Sequence, residues 1–270
     1  MKRSKKKNIK KHDKVFTVLV SLTVILTITL AIMLFISRYN IDINSDKVTE
    51  LFNYFNIKDL SNCNGLINYS DKLVGYKDIE EETRVCIAYN KANLSNIEIE
   101  TLNVQKKKNT CKKDNMVFKS ENDKTCEIKK ISREVVDNNY KKMFGHDISE
   151  METFRVDSNT ICYLKDDYYY CGDSEVSVYT IGLEASIYRV IRDAKEKDGE
   201  VEIRDFFIKV NGKKCYSNYT TTTEIEECSK ELSNDKKVDY NFMKKYGTQY
   251  KHTYKKAKNN TYYWVSSEPI

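Results

Sequence analysis

The side chains best suited to acid–base chemistry in this sequence are two histidines, His146 and His252. His146 follows a glycine that can end a helix, and its simplest role is that of a turn residue or a positive charge at a helix C-terminus. His252 alternates with Tyr250 and Tyr254 on a predicted strand, as expected of a surface residue or of a residue that packs in a β-sheet. No motif of serine hydrolases, zinc peptidases or nucleotide-binding loops occurs. The sequence therefore predicts no catalytic residue and no cofactor, although a Ser, a His and a carboxylate could still meet in space.

The eight cysteines are the second chemical signal, because all of them follow an apolar N-terminal segment. An even number of cysteines confined to one part of a chain indicates disulfides formed in an oxidising compartment. No C-x-x-C pair and no Cys/His cluster is present, so no metal site is expected. Proximity along the chain predicts four bridges, namely Cys63–Cys86, Cys111–Cys126, Cys162–Cys171 and Cys215–Cys228.

Tyrosine is abundant, with 20 residues in the chain, and two aromatic runs suggest a possible binding face. The residues of that candidate face are Tyr168, Tyr170, Tyr262 and Trp264. Aromatic rings on a sheet can stack on glycans or peptides, but they are also ordinary strand residues. We favour packing within the sheet, with a binding face as the functional alternative.

The run Val15–Ser37 contains no charge, Gly or Pro, as expected of a transmembrane helix. The cysteines and the aromatic runs follow it, so we expect them to lie outside the membrane. A helix of this length is enough to cross a hydrocarbon core of about 30 Å. The preceding residues 1–14 form a basic tail, and positive charge stays on the cytoplasmic side of a span. We predict a transmembrane signal anchor at 15–37, a cytoplasmic N-terminus and an extracytoplasmic domain at 38–270. The alternative is a cleaved signal peptide, but no A-x-A cleavage pattern follows the run.

The net charge of +6 belongs to the tail. Residues 1–14 contain eight Lys or Arg and one Asp, a net charge of +7, so the rest of the chain carries −1. A nucleic-acid-binding domain needs a basic surface, and nucleic acid is therefore not an expected partner. The tail itself is suited to anionic lipid headgroups.

Three amphipathic stretches predict helices in the first part of the domain, at about residues 45–145. Their apolar faces are Val48, Leu51, Phe52 and Phe55; Val85, Ala88, Tyr89 and Ala92; and Val135, Val136, Tyr140, Met143 and Phe144. The first is expected to begin near Ser45, and the third to be capped by Ser132 and ended by Gly145. The polar stretch Asn103–Lys130 is expected to be a surface insertion closed by the Cys111–Cys126 bridge.

From Met151 the hydrophobic period changes to two, which predicts a β-rich part at about residues 150–268. With Asp166-Asp167 as the turn, Cys162 lies opposite Cys171 at a Cα separation of about 4.5 Å, which a disulfide tolerates. Asn211-Gly212 and Asn259-Asn260 are expected to turn later strands. The expected fold is α+β, with helices packed on one face of an antiparallel meander sheet, as in cystatin-like or NTF2-like folds.

Asp198-Gly199 is a favoured two-residue hairpin turn, and it fixes a register. In that register Lys197 faces Glu200, Lys195 faces Glu202, Ala194 faces Ile203, Asp193 faces Arg204, Arg192 faces Asp205, Ile191 faces Phe206 and Val190 faces Phe207. In each of these pairs a charged residue faces one of opposite charge, or an apolar residue faces another apolar residue. We therefore interpret these charges as determinants of register.

The basic start and the anchor are accompanied by a helix ending in Tyr140-Lys141-Lys142-Met143-Phe144-Gly145 and a terminal Tyr262-Tyr263-Trp264-Val265-Ser266-Ser267. With these features the chain resembles uncharacterised single-pass membrane-anchored extracytoplasmic proteins of low-GC Gram-positive bacteria. The resemblance implies no particular activity. We expect a non-enzymatic binding or structural module of the cell envelope, with an envelope hydrolase acting on cell-wall or peptide substrates as the alternative. The expected partners are the lipid bilayer and a cell-envelope protein or glycan.

Overall fold

The computed structural model describes residues 18–30, 39–55, 68–92, 94–105, 108–149, 151–176, 185–220 and 223–270. Its helices are α1 (residues 18–30), α2 (Asp46–Phe52), α3 (Glu81–Asn90), α4 (Arg133–Phe144), α5 (Glu226–Ser233) and α6 (Tyr240–Tyr246). Its strands are β1 (Val74–Gly75), β2 (Ile97–Asn103), β3 (Thr110–Lys113), β4 (Met116–Lys119), β5 (Thr125–Ser132), β6 (Thr153–Arg155), β7 (Thr160–Lys165), β8 (Tyr168–Asp173), β9 (Ala185–Lys197), β10 (Glu200–Asn211), β11 (Lys214–Tyr216), β12 (Thr248–Lys256) and β13 (Tyr262–Pro269).

Helix α1 covers the middle of the predicted anchor, and all of its residues are exposed. The rest of that prediction, residues 15–17 and 31–37, lies outside the described residues, as does the basic tail. The hydroxyls of Thr23, Thr27 and Thr29 donate to carbonyls three or four residues earlier in the helix. Within the described residues, no helix is both long enough and apolar enough to cross a bilayer.

The strands form two main sheets, and every strand pair is antiparallel. The larger sheet has the order β1-β13-β12-β10-β11, and β9 pairs along the other edge of β10. The smaller sheet has the order β2-β5-β8-β7-β6, and β3 and β4 form a separate hairpin. The expected α+β class with antiparallel sheets and helices is confirmed.

The division into a helical part followed by a β-rich part differs from the structure, because β1 to β5 all lie before residue 133. The stretch expected to be a surface insertion contains the β3–β4 hairpin, which packs on the smaller sheet. Met116, Phe118 and Ile128 are buried there around the Cys111–Cys126 disulfide. This small core is built from few apolar residues among many lysines, which is why the composition alone suggested a solvated loop.

Helices cover both faces of the larger sheet, where one covered face was expected. On β10, Val201 and Ile203 face the main core with Val48 and Leu51 of α2. Phe206 and Ile208 of β10 point to the opposite face, because successive side chains alternate. They pack there with Phe242 and Met243 of α6.

The helix ends follow the expected signals with one exception. The Ser45 side chain accepts a hydrogen bond from the Val48 amide at 3.4 Å and caps α2. Gly145 ends α4 in the left-handed conformation with φ of 72°. Ser132 occupies the N-cap position of α4, but its side chain makes no capping hydrogen bond, so that detail of the prediction is wrong.

Three of the four predicted disulfides are present among the described residues, which contain no free cysteine. They are Cys111–Cys126, Cys162–Cys171 and Cys215–Cys228. Cys162 and Cys171 face each other across β7 and β8 in the predicted register, with Cα atoms 4.0 Å apart. Cys86 is also disulfide-bonded, and its predicted partner Cys63 lies outside the described residues.

The register of β9 and β10 is as predicted from Glu200 to Arg204 and wrong beyond it. A bulge at Arg204/Asp205 shifts the pairing by one residue, so that Asp205 faces Ile191, Phe206 faces Val190 and Phe207 faces Arg189. The expected Arg192–Asp205 pair therefore does not form. Two other hairpins are present: β12 and β13 connect around Asn259-Asn260, and the β10–β11 turn is Gly212-Lys213, one residue later than expected.

Candidate functional site

The most enzyme-like arrangement in the structure is a polar row across three adjacent strands of the larger sheet. Asp205 lies on β10, His252 on β12 and Ser267 on β13. His252 faces Ile203 on one side and Ser267 on the other, so all three side chains point into the main core. Of the two positions expected for His252, on the surface or packed in the sheet, the structure has the packed one, and its polar partners are distant in sequence.

The three side chains are joined directly by hydrogen bonds. His252 Nε2 lies 3.1 Å from Asp205 Oδ1, and His252 Nδ1 lies 2.6 Å from Ser267 Oγ. The indole Nε1 of Trp264 donates to Ser267 Oγ at 2.9 Å. One assignment of protons satisfies every group: Ser267 donates to Nδ1, and Nε2 of a neutral imidazole donates to Asp205.

A second pair of side chains completes the surroundings of Asp205. The Tyr69 hydroxyl donates to Asp205 Oδ2 at 2.5 Å, and Arg189 Nε donates to the Tyr69 oxygen at 2.6 Å. Arg189 Nε is 3.8 Å from Asp205 Oδ2, and its NH2 group donates to the Phe52 carbonyl at 2.9 Å. A buried carboxylate needs such a counter-charge and donors, because burial of an unpaired charge is very costly.

A bulge in β9, where Arg192 is the extra residue, brings Arg189 into this group. With the uninterrupted register, Val190 would face Phe207 and share its inward direction. The shift by one residue places Arg189 opposite Phe207 instead, on the side of the core. Sequence reasoning missed Arg189 and Tyr69, and it assigned Asp205 to a cross-strand pair with Arg192 that sets the register. The only available signal was a carboxylate set between the apolar residues Ile203 and Phe207.

Burial shapes the electrostatics of the aromatic residues around the row. Burial raises the pKa of Tyr69 well above its ordinary value, against the lowering effect of Arg189. Burial likewise raises the pKa of Tyr250 and of Tyr254, and nearby Asp205 adds to the effect at both. These hydroxyls therefore stay protonated and serve as hydrogen-bond donors.

A serine, a histidine and a carboxylate are the components of an acyl-transfer triad, but their placement here is different. Ser267 and Asp205 are 0 % exposed and His252 is 1 % exposed. A nucleophilic oxygen must reach the substrate, whereas Ser267 Oγ is enclosed and already holds the Trp264 indole and the His252 ring. As it stands, the row is a satisfied buried network that ties strands together.

His146 lies apart from this network. It follows Gly145 at the end of α4, is exposed, and lies against the Tyr76 ring with centroids 4.1 Å apart. Its position after the helix is the one predicted. In the part of the chain that the structure describes, no hydrogen bond or ion pair joins its ring to a carboxylate or a serine.

The four aromatic residues of the candidate binding face lie on two separate sheets, and three of them are buried. Tyr262 and Trp264 belong to the larger sheet and are buried under α2 and α4, with the Trp264 ring 5.0 Å from that of Phe55. Tyr168 and Tyr170 belong to the smaller sheet. The Tyr170 ring is buried beside the β3–β4 hairpin, and only Tyr168 is half-exposed.

Three open depressions among the described residues are lined mostly by charged and polar side chains. Two lie beside the Asp198-Gly199 turn, with volumes of about 510 and 450 Å³. A third, of about 550 Å³, lies along α5. No group of three or more His, Cys, Asp or Glu suited to a metal ion occurs in the described part of the chain.

Comparison of the chain with protein-family models, with curated proteins and with solved structures finds no match in any of the three.

Proposed function

We propose that the protein is a membrane-anchored module of the cell envelope whose outer domain, residues 38–270, binds or organises other molecules without catalysing a reaction. The observation that carries this proposal is the closure of the Ser267–His252–Asp205 row. The serine, histidine and aspartate that could form an active site are instead hydrogen-bonded inside the core, where they stabilise the larger sheet. The partners in this proposal are the lipid bilayer and an envelope protein or glycan.

Three features support the membrane-anchored, extracytoplasmic arrangement. Helix α1 exposes apolar side chains on all sides, and its threonine hydroxyls bond within the helix, as they must where no water is present. The disulfides all lie C-terminal to it, which fits an oxidising compartment. The basic residues 1–14 precede it, which fits a cytoplasmic N-terminus.

We propose that the cystatin-like or NTF2-like layout, expected for the whole outer domain, applies to the larger sheet alone. Its strands β12, β10 and β9 are long and antiparallel, and α2 packs on one face, which resembles the layout of cystatin-like or NTF2-like folds. The smaller sheet and the helices α5 and α6 lie outside that analogy, which concerns layout and not activity.

The alternative function, a hydrolase of cell-wall or peptide substrates, has one specific observation in its favour. A serine oxygen lies 2.6 Å from a histidine nitrogen whose other nitrogen meets a carboxylate. For this row to act in catalysis, β13 would have to move so that Ser267 reaches solvent.

A fluorophosphonate probe, which labels activated serines covalently, separates the two functions. The full chain in detergent is exposed to the probe, with Ser267→Ala as the matched control. We expect no labelling of the natural chain, because Ser267 is enclosed. Labelling that disappears in the Ser267→Ala variant would establish the hydrolase and overturn the binding module.

The topology has its own test in intact cells that lack an outer barrier. A membrane-impermeant protease added outside should digest residues 38–270 and leave the N-terminal fragment. Complete protection of the domain would contradict the extracytoplasmic placement.

A further inference from the structure

The chain enters the outer domain along the C-terminal end of strand β9. Ile41 donates its amide hydrogen to the Ala194 carbonyl at 3.1 Å, and the Glu196 amide donates to the Tyr39 carbonyl at 2.8 Å. Asn40 lies opposite Lys195 in this antiparallel pairing. Because the pairing is antiparallel, the chain at Tyr39 comes from the side of the Asp198-Gly199 turn and runs away from it.

The segment between this pairing and the folded core is a short, hydrogen-bonded connection. The Asn44 amide and the Ser45 hydroxyl bond to Asp42, which forms a tight turn into α2. Val48 and Leu51 of α2 are then fully buried. In sequence, only Arg38 separates Tyr39 from Ser37, the last residue of the apolar run. An anchor in the bilayer therefore holds the domain by the end that carries the Asp198-Gly199 turn.

The same end carries a second turn and a group of exposed lysines. The Lys256 amide donates to the Gly199 carbonyl at 2.8 Å, which places the β12–β13 turn beside the β9–β10 turn. We call this end the basal face and define it by Tyr39, Lys197, Lys255, Lys256, Lys258 and Tyr263. The four lysines are exposed, and within the described residues none of them has a carboxylate at ion-pair distance.

The acidic residues near the basal face offset only part of this charge. Glu200 lies opposite both Lys197 and Lys255 across the strands, and together with Asp198 it leaves the four lysines with a net charge of +2. Asp198 is exposed at the tip of the turn. Glu200 and Glu202 are half-buried on β10, and Glu202 is paired with Arg204 at 3.4 Å. Glu196 accepts from Lys47 at 2.7 Å and from the Tyr262 hydroxyl. Tyr39 and Tyr263 add the amphipathic rings that are enriched at membrane–water interfaces.

We propose that the basal face rests on the membrane and that its four lysines bind the headgroups of anionic phospholipids. The inference rests on the proposed membrane anchor, because the anchor is what brings this end of the domain to the bilayer. Lysine near an anionic surface is attracted to it within a Debye length. An anchor without a spacer keeps the lysines inside that distance.

This contact with the membrane determines which end of the outer domain faces away from the bilayer. β10 starts at the basal face and extends through 12 residues, a span of about 36–40 Å at the usual rise per residue. Its far end carries the Gly212-Lys213 turn and packs with α5 and α6. Those elements form the outward end, which is where an envelope partner would meet the module.

Lysine footprinting of the full chain tests the proposal without new cysteines. The protein is placed in nanodiscs of phosphatidylcholine alone, or with about a quarter phosphatidylglycerol, a fraction that gives the surface a clear negative potential. It is then labelled briefly with an amine-reactive reagent. We expect the labelling rates of the four basal lysines to fall several-fold in the anionic discs, and those of Lys213 and Lys214 at the outward end to stay unchanged. The difference should vanish at about 0.5 M salt, where the Debye length is about 4 Å.

The labelling rate of Lys197 is then measured in two matched triple variants. Lys255→Gln with Lys256→Gln and Lys258→Gln should restore the labelling of Lys197 in anionic discs. Lys213→Gln with Lys214→Gln and Lys236→Gln, all at the outward end, should leave it protected. Equal rates at the basal lysines in both lipid mixtures would overturn the contact while the anchor proposal stands. Release of the chain from membranes by alkaline carbonate would instead overturn the anchor itself.

Discussion

Asp205 and His252 lie side by side on strands β10 and β12, with Oδ1 3.1 Å from Nε2, at a place where both side chains are enclosed by the core. Arg189 from β9 and Ser267 from β13 extend this contact, so the polar row crosses four neighbouring strands. Polar groups in a core stabilise a unique arrangement only when each of them is satisfied. The row should therefore respond strongly to the loss of a single partner.

Asp205→Asn should lower the free energy of unfolding by about 3–5 kcal/mol, because it leaves the buried Arg189 guanidinium without its counter-charge. Chemical denaturation of the detergent-solubilised chain measures this, with the fluorescence of Trp264, the single and fully buried tryptophan, as the signal. Asp235→Asn is the control, since its carboxyl is 90 % exposed and, among the described residues, pairs only with Lys213. That substitution should change stability by less than about 0.5 kcal/mol. Equal effects of the two substitutions would refute the buried ion pair.

Ser267→Ala should cost about 1–3 kcal/mol, less than Asp205→Asn, because it leaves two neutral groups without a partner. These groups are Nδ1 of His252 and Nε1 of Trp264. Ser266→Ala on the same strand is the matched control, since that side chain is half-buried and points the other way. If both alanine variants unfold at the same denaturant concentration, the hydroxyl of Ser267 contributes nothing to the row.

Local signals in the sequence predicted the hairpins well. Asp166 and Asp167 both adopt positive φ, which the tight turn between β7 and β8 requires, and the pairing of Cys162 with Cys171 follows from it. The pairing of β9 with β10 holds as far as Arg204 for the same reason. Beyond that residue the extra residue Arg192 of β9 changes the register. The shift brings Arg189 to Tyr69 and Asp205, a contact that the local pattern of the hairpin does not contain.

The polar row could not be derived from local patterns, because its members lie on separate strands and one loop. Asp205 and Tyr69 are 136 residues apart in the chain. The choice between sheet packing and a binding face for the aromatic runs could not be made locally for a related reason: a tyrosine or tryptophan has the same sequence pattern whether its side of the strand meets solvent or a helix. Trp264 is buried because Phe55 and Phe144 pack on it, and neither contact is local.

Raising the pH should unfold the chain between about pH 10 and pH 12. Burial raises the pKa of Tyr89, Tyr169 and Tyr262 to about 12, above the value of about 10 in an unfolded chain. A folded pKa above the unfolded one contributes stability that is complete below about pH 10 and is lost as the pH rises through about 12. Absorbance of ionised tyrosine and Trp264 fluorescence should therefore change together in this range.

Tyr169→Phe provides the control for the alkaline transition. The Tyr169 hydroxyl is buried and has no hydrogen-bond partner among the described residues. Phenylalanine keeps the ring contact with Phe154, which has a centroid distance of 5.1 Å, and removes the group that ionises. The midpoint of unfolding should move to higher pH and neutral-pH stability should not fall. A midpoint that moves to lower pH would contradict the assignment of Tyr169 to this transition.

Gly145→Ala should destabilise the chain more than Gly212→Ala, although both glycines have positive φ, at 72° and 59°. A left-handed alanine costs about 1–2 kcal/mol, and Gly212 has open space around it, so that cost is all we expect there. At Gly145 an added Cβ would lie 2.6 Å from the Tyr263 ring, and overpacking adds about 1–3 kcal/mol. The double variant Gly145→Ala with Tyr263→Ala separates the cost of the left-handed conformation from the cost of overpacking. Measured against Tyr263→Ala alone, the alanine at position 145 should then cost no more than the alanine at position 212. An undiminished cost in that background would show that the Tyr263 ring is not what excludes a side chain at the end of α4.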